Sequence, residues 1–183
     1  MRHEAPFSGR FPGIAAVLAL AFVCGAVHAA PIEVHLPAAA DWRIVTHEKL
    51  GFEIAYPGNV FQPSATTSEF GQVLLSRDGT AKLLIGSFDN ESEASLADYR
   101  THVLETSYAG AVIDYAPVRR SWFVLSGVRN GTMFYERVSF TCGGRRITSW
   151  AMLYPEGQRS YYDRVLEAIA RTFKPGRGAD GAC

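Results

Sequence analysis

Hydrophobic and polar residues alternate through residues 121–154, which is the most regular pattern in the chain. Two turn signals, Asn130-Gly131 and Gly143-Gly144, divide this stretch into three segments. Both dipeptides favour the positive φ angles that two-residue hairpin turns require. The pattern therefore predicts three long antiparallel strands. In the pairing set by these turns, the facing residues include Phe123 with Val138, Leu125 with Glu136, and Phe140 with Ile147.

Successive side chains of a strand point to opposite faces, so this register sorts the three strands into two sets. One face collects Phe123, Leu125, Phe134, Val138, Phe140, Ile147 and Leu153. The other face collects Trp122, Val124, Val128, Met133, Tyr135, Trp150, Met152 and Tyr154. A sheet with one face in water alternates more cleanly between apolar and polar residues. We therefore expect other elements to cover both faces, at least in part.

Shorter stretches of alternation predict further strands on the N-terminal side of these three. They cover residues 42–46, 51–56, 70–76, 80–88 and 111–118. Asp78-Gly79 is a turn signal that makes a hairpin of the third and fourth strands. The polar residues 60–69 are interpreted as a loop.

Two segments instead have the spacing of a helix. Residues 95–108 carry an apolar stripe, and Ser95 with Asp98 resembles a capping box. Residues 156–172 carry a second stripe. The predicted order is ββββ-α-ββββ-α, which indicates an α+β fold with an antiparallel β-sheet in an α/β/α sandwich. The helix patterns do not say which faces the helices cover, but the two apolar faces of residues 121–154 favour opposite ones.

The N-terminus has the features of a secretory signal peptide over residues 1–29. A basic leader precedes the apolar run of residues 14–23, and Val27 and Ala29 place small or aliphatic groups before a cleavage site. An uncleaved anchor and a misassigned start are the alternatives. We expect an extended lead-in over residues 30–41, a single domain over 42–173 and a disordered tail over 174–183. The protein is then exported, to the periplasm or outside the cell, with no membrane span after cleavage.

The net charge and the cysteine content indicate which partners and which disulfide to expect. The chain has 18 basic and 18 acidic residues, and loss of residues 1–29 removes two arginines and one glutamate, which leaves a net charge of −1. This balance gives no electrostatic reason to expect nucleic acid as a partner. Two cysteines remain, Cys142 and Cys183, and an oxidising compartment favours a disulfide between them. The alternatives are that Cys183 stays free or pairs with another chain.

The sequence contains no motif of a known catalytic or cofactor site. His35, His47 and His102 are scattered without a metal-binding spacing. The acidic run of residues 89–93 lacks the glycine and the distant glutamate of a calcium loop, and it is interpreted as the start of a helix. We therefore predict no cofactor and no metal.

Two charged residues in the middle of the second predicted long strand are unusual for a strand with apolar residues on both faces. Glu136 falls on an apolar face, where a carboxylate requires a partner or a raised pKa. It is either a general base or ligand anchor, or it pairs with an arginine of a covering helix, such as Arg164 or Arg171, or it lies near the edge of the sheet; the last two interpretations are favoured. Arg137 faces Trp150, where a cation–π contact is plausible. These two residues, with Tyr135 and Trp150, form a candidate binding surface, although we favour the alternative that the Arg137 side chain snorkels under a helix.

The order of elements resembles the PsbP-like fold. The resemblance rests on LGFEIAYP at residues 50–57, on a hairpin before the first helix, and on YYDRVLEAIARTF at residues 161–173. It covers about residues 42–173. The fold group includes the PsbP subunit of photosystem II, the Ran-binding nuclear import protein of the same fold, and exported bacterial DcrB-like proteins. Many bacterial members carry a tryptophan shortly after the Tyr-Pro pair, where this chain has Phe61.

This resemblance implies a non-enzymatic binding or assembly module. No metal site or partner-binding residue of the group maps onto this sequence. The predicted function is accordingly an exported module that acts on a protein partner in the cell envelope. The alternative is a hydrolase or other small-ligand enzyme with a site near Glu136 and Arg137.

Overall fold

A computed structural model describes residues 41–46, 51–68 and 70–176 of the chain. The strands in this part are β1 (Trp42–Thr46), β2 (Glu53–Pro57), β3 (Phe61–Ser68), β4 (Gly71–Ser76), β5 (Lys82–Asp89), β6 (Val112–Tyr115), β7 (Trp122–Arg129), β8 (Thr132–Thr141) and β9 (Arg146–Pro155). The helices are α1 (Leu96–Thr106) and α2 (Arg159–Ala170).

Seven strands form one antiparallel sheet in the order β3-β4-β5-β9-β8-β7-β6, and β1 pairs with β2 separately. The α+β class and the antiparallel sheet are therefore confirmed. Five strands precede α1 in the described residues, however, so the prediction of four and of a loop over residues 60–69 was wrong. The strand that was not predicted, β3, lies at a sheet edge, where polar side chains can face water at little cost in free energy. The buried Phe61 packs in the core at its first position.

The register predicted for the three long strands is confirmed pair by pair. Phe123 faces Val138, and Phe140 faces Ile147. Asn130 and Gly131 have φ of 51° and 72°, as a two-residue hairpin turn requires. The second turn is longer than predicted, because a 3₁₀ turn over Cys142–Gly144 follows the last residue of β8, although the pairing on either side is unchanged.

Helix α1 covers one face of the sheet. The hydroxyl of Ser95 accepts a hydrogen bond from the backbone N–H of Asp98 at 3.1 Å, which confirms the predicted cap. Val103 of α1 packs into a cluster with Phe123, Leu125, Phe134, Val138 and Ile147. This set belongs to the first of the two predicted faces.

Helix α2 covers the opposite face. Its buried Tyr162, Val165 and Ile169 pack into a second cluster, which contains Met133, Trp150, Met152 and Tyr154 from the other predicted face. Met133 and Phe134 are neighbours in β8 and enter different clusters, so the two helices lie on opposite sides of the sheet. The sandwich arrangement predicted from the two apolar faces is therefore present.

The segment after α2 is held against β2. The Thr172 hydroxyl accepts a hydrogen bond from the Ala55 N–H at 2.9 Å, and Lys174 exchanges two backbone hydrogen bonds with Glu53, at 2.8 and 2.9 Å. The Lys174 ammonium also lies 2.7 Å from the Glu53 carboxylate. Ordered pairing therefore extends into the first residue of the predicted disordered tail, whereas residues 177–183 lie outside the described residues.

Candidate functional site

Glu136 lies on the α1 face of the sheet, between Leu125 and Ala151 on the neighbouring strands. Burial raises the pKa of its carboxyl, and a hydrogen bond donated by the Tyr108 hydroxyl partly offsets this rise. Tyr108 is itself positioned by stacking on Phe134, with ring centroids 4.1 Å apart. The sequence placed Glu136 correctly on this face, and its observed partner comes from the segment that follows α1.

The predicted ion pair of Glu136 with Arg164 or Arg171 was wrong. Arg164 lies within α2 and Arg171 is its C-terminal capping residue, and α2 packs on the other face of the sheet. The alternation of side chains along a strand does not specify which helix covers which face of the sheet. Tyr108 was overlooked because it lies beyond the last turn of α1, where helical spacing no longer applies.

Arg137 lies on the α2 face, but its cation–π partner is not the predicted Trp150. Its guanidinium carbon lies 4.7 Å from the centroid of the Trp122 ring and 5.4 Å from that of Phe173. Trp122 is the diagonal neighbour of Arg137 across the β7–β8 pair. Among the described residues, Arg137 Nε is buried without a hydrogen-bond partner. This is the arrangement of an arginine packed under covering side chains.

Trp150 is fully buried, with 0% of its surface exposed. Its ring lies 4.9 Å from that of Tyr135 and 6.1 Å from that of Phe173. The four residues of the candidate binding surface therefore do not form one surface, because Glu136 lies on one side of the sheet and Trp150 in the core of the other. Of these four residues, Tyr135 lines one of the two cavities described below.

That cavity is a groove of about 410 Å³ between α2 and the β6 side of the sheet. The residues that line it come from four strands and one helix: Asp114, Tyr115, Ser126, Met133, Tyr135, Tyr154, Arg159, Asp163, Leu166 and Glu167. Three tyrosines and three carboxylates thus meet in one groove, with one arginine. We refer to it as the β6 groove.

One of the three carboxylates in the β6 groove is already engaged. Asp163 accepts a hydrogen bond from the Tyr154 hydroxyl at 2.6 Å and lies 3.2 Å from Arg159 Nε. Burial, with this hydrogen bond, raises the pKa of Tyr154, and the same carboxylate raises the pKa of Arg159. Asp114 and Glu167 are exposed and form no ion pair within the described residues. The groove therefore keeps an unbalanced negative charge.

Strand β6 forms the rim of this groove and one edge of the seven-stranded sheet. Three large apolar residues along this edge segment are exposed, Val112 at 66%, Tyr115 at 57% and Val118 at 44%. The other edge, β3, instead carries an exposed proline at Pro63 and a register shift after it, which are common protections against pairing with another chain. The sequence predicted a strand at β6 but not that it lies at an edge.

A second cavity, of about 1140 Å³, lies where the loop before α1 meets the turn between β8 and β9. Three acidic and three basic residues line it, and Arg146 lies 3.1 Å from Asp89. The Asn90 side chain donates to the Ala94 and Gly144 carbonyl groups at 2.9 Å, so it holds the turn that connects β5 to α1. No cluster of metal-ligating side chains occurs in the described part of the chain. Cys142 lies in this turn, and Cys183 is outside the described residues.

Comparisons with known proteins bear on the fold. No protein-family model matches the sequence, and no curated protein matches it. Cyanobacterial PsbP (CyanoP) from Synechocystis sp. PCC 6803 is similar in structure, with a TM-score of 0.55 and 16% identity over 79% of this chain and 99% of that one. The protein has a PsbP-like fold.

The Ran-binding protein Mog1p of Saccharomyces cerevisiae is similar too. It has a TM-score of 0.52 and 10% identity, and the match covers 73% of this chain and 94% of that one. At these identities the similarity concerns the fold, which confirms the resemblance seen in the sequence. Within the described residues, no helix has the length and apolar character needed to cross a membrane.

Proposed function

We propose that the protein is an exported, non-enzymatic module that binds a protein partner in the cell envelope through the β6 edge and the β6 groove. The observation that carries this proposal is the exposure of Val112 and Tyr115 in the edge strand β6 and of Val118 just after it. A soluble domain usually protects such an edge, and an exposed apolar edge next to a groove is typical of an interaction site. One structure with the same fold is described as a Ran-binding protein, which supports binding as the function of this fold.

The enzyme alternative has less support. Glu136 has a second titratable group, Tyr108, within hydrogen-bond reach, as a catalytic pair would. Neither of the two cavities described above is lined by Glu136 or Arg137, however. The Glu136–Tyr108 contact is better explained as a polar link between the sheet and the segment after α1.

Site-specific photo-crosslinking tests the binding site. With a photoreactive amino acid at Tyr115, the exported protein is expected to form a crosslinked adduct with one envelope protein, because Tyr115 is exposed at the proposed interface. The adduct is detected on gels and its partner identified by mass spectrometry. The same probe at Glu105, which is exposed on α1, serves as the control and is expected to give no such adduct. Equal adducts from both positions, or none from Tyr115, would contradict the proposed site.

Export and the disulfide are tested in one measurement on the protein recovered from cells. We expect intact-mass analysis to show a mature chain that begins at Ala30, with Cys142 linked to Cys183. Under the loop-entropy model such a bond, which closes about 40 residues, contributes about 3–4 kcal/mol to stability. An intact N-terminus would contradict cleavage, and two alkylatable thiols without reduction would contradict the bond.

A further inference from the structure

We propose that the partner presents an extended basic segment, which adds to the sheet as a strand beside β6 and places its cationic side chains in the β6 groove. This inference rests on the proposed function and names the chemistry of the partner. Three independent features carry it: the direction of the free backbone groups of β6, the apolar residues on the edge, and the charge of the groove.

The direction of the backbone groups follows from the strand register. Arg129 and Thr132 flank a two-residue turn and therefore form a hydrogen-bonded pair between β7 and β8. Starting with the residue before Arg129, every second residue of β7 instead directs its backbone N–H and C=O groups towards β6. The Val124 N–H accordingly donates to the Pro117 carbonyl at 3.0 Å. Val112 faces Val128 in this ladder, so the backbone of Ile113 points away from β7. An added strand can therefore hydrogen-bond to Ile113 without disturbing the existing ladder.

The side chains beside this free backbone differ between the two faces. On the α1 side the exposed Val118, whose partner is Phe123, offers an apolar contact. On the α2 side lie Val112, which faces Val128, and Tyr115, which lines the β6 groove together with Asp114 and Glu167. A strand that alternates apolar and cationic residues matches this difference, because successive side chains of a strand point to opposite faces.

The charge of the groove selects cations over anions. Its lining includes three carboxylates and one guanidinium, and that guanidinium is already paired with Asp163. Asp114 and Glu167 therefore remain to meet an incoming lysine or arginine. Tyr115 and Tyr135 add ring faces for a cation–π contact. Complementary charge of this kind gives specificity and faster association more than it gives affinity.

The short length of β6 limits the affinity for an added strand. It has four residues, so an added strand forms few backbone hydrogen bonds, and the groove contacts must supply the rest of the free energy. We therefore expect only moderate affinity for an isolated peptide, because ordering a flexible peptide costs free energy.

The test uses the mature full-length chain and peptides of about eight residues. One peptide alternates valine and lysine, a second alternates valine and glutamate, and a third has the first composition arranged in two blocks. Binding is measured by fluorescence anisotropy at low and at moderate salt. We expect saturable binding of the alternating valine–lysine peptide alone, weakened by salt. A version of it N-methylated at every second residue is expected not to bind.

Matched variants locate the site. The double variant Asp114→Asn with Glu167→Gln is expected to bind the valine–lysine peptide about five- to tenfold more weakly. The effect is modest because each exposed charge contact contributes little free energy. Glu105→Gln removes an exposed carboxylate on α1 and is expected to change binding less than twofold. Urea unfolding of each variant checks that the fold is unchanged.

The outcomes separate this inference from the proposed function. Equal binding of the lysine and glutamate peptides, no saturable binding of the lysine peptide, or insensitivity to the double variant would overturn the basic-strand inference. A homodimer in sedimentation that is lost in Tyr115→Asp would overturn it too, since a second copy would then occupy the edge. If Tyr115 still crosslinks to an envelope protein in any of these cases, the proposed function stands. If that crosslink fails as well, both fall.

Discussion

Replacing Trp150 by alanine is expected to lower the free energy of unfolding by about 3–5 kcal/mol, as truncation of a buried aromatic residue generally does. Trp150 has no exposed surface and lies on β9 between Ile85 of β5 and Arg137 of β8. Its ring also contacts those of Tyr135 and Phe173. The substitution would therefore open a cavity at the centre of the α2 face, which the surrounding strands cannot close.

Urea unfolding of the mature chain measures this effect, and Trp122→Ala is the matched control. Trp122 is partly exposed near the start of β7 and contacts Arg137, so its loss is expected to cost about 1–2 kcal/mol. If Trp150→Ala costs no more than Trp122→Ala, the placement of Trp150 in the core is wrong. A large loss in stability would show why Trp150 cannot serve as a contact residue for a partner.

The parts of the fold that could be predicted are those encoded by neighbours along the chain. Turn residues with positive φ, such as Asn130 and Gly131, set the register of β7, β8 and β9, and alternation then assigned each side chain to a face. The capping residue Ser95 likewise marked the start of α1. Both signals act over a few residues, where the backbone leaves few alternatives.

The parts that could not be predicted depend on pairing between distant segments. Strand β5 pairs with β9, so that Lys82 faces Leu153, and this pairing places β6 at one edge and β3 at the other. No local pattern specifies this order. The candidate site consequently changed from Glu136 and Arg137 to the β6 groove, because exposure at an edge is a property of the assembled sheet. Tyr135 is the residue that the two descriptions share.

Changes at Glu136 and Tyr108 are expected to act in opposite directions. Ionisation of the Glu136 carboxyl in its buried position opposes folding, since its one described hydrogen-bond donor is the uncharged hydroxyl of Tyr108. Glu136→Gln keeps an acceptor for that hydroxyl and removes the charge, so it is expected to raise the free energy of unfolding by about 1–2 kcal/mol above the folded-state pKa of Glu136. Tyr108→Phe leaves the carboxylate without its donor and is expected to lower it by about 1–3 kcal/mol.

The pH dependence of the free energy of unfolding tests the burial of Glu136 more specifically than the stability at a single pH. The pKa of Glu136 in the folded protein is raised above its ordinary value of 4.5, so the folded chain holds this proton to a higher pH than the unfolded chain. The favourable contribution of the protonated Glu136 carboxyl to folding stability is therefore fully present below pH 4.5 and is lost as the pH rises through the folded-state pKa. Unfolding of wild-type protein and Glu136→Gln across this range is expected to show a stability difference that grows with pH and then levels off. A difference that stays constant with pH, or one that grows towards acid, would mean that the Glu136 carboxyl is solvated or paired with a cation rather than buried against Tyr108.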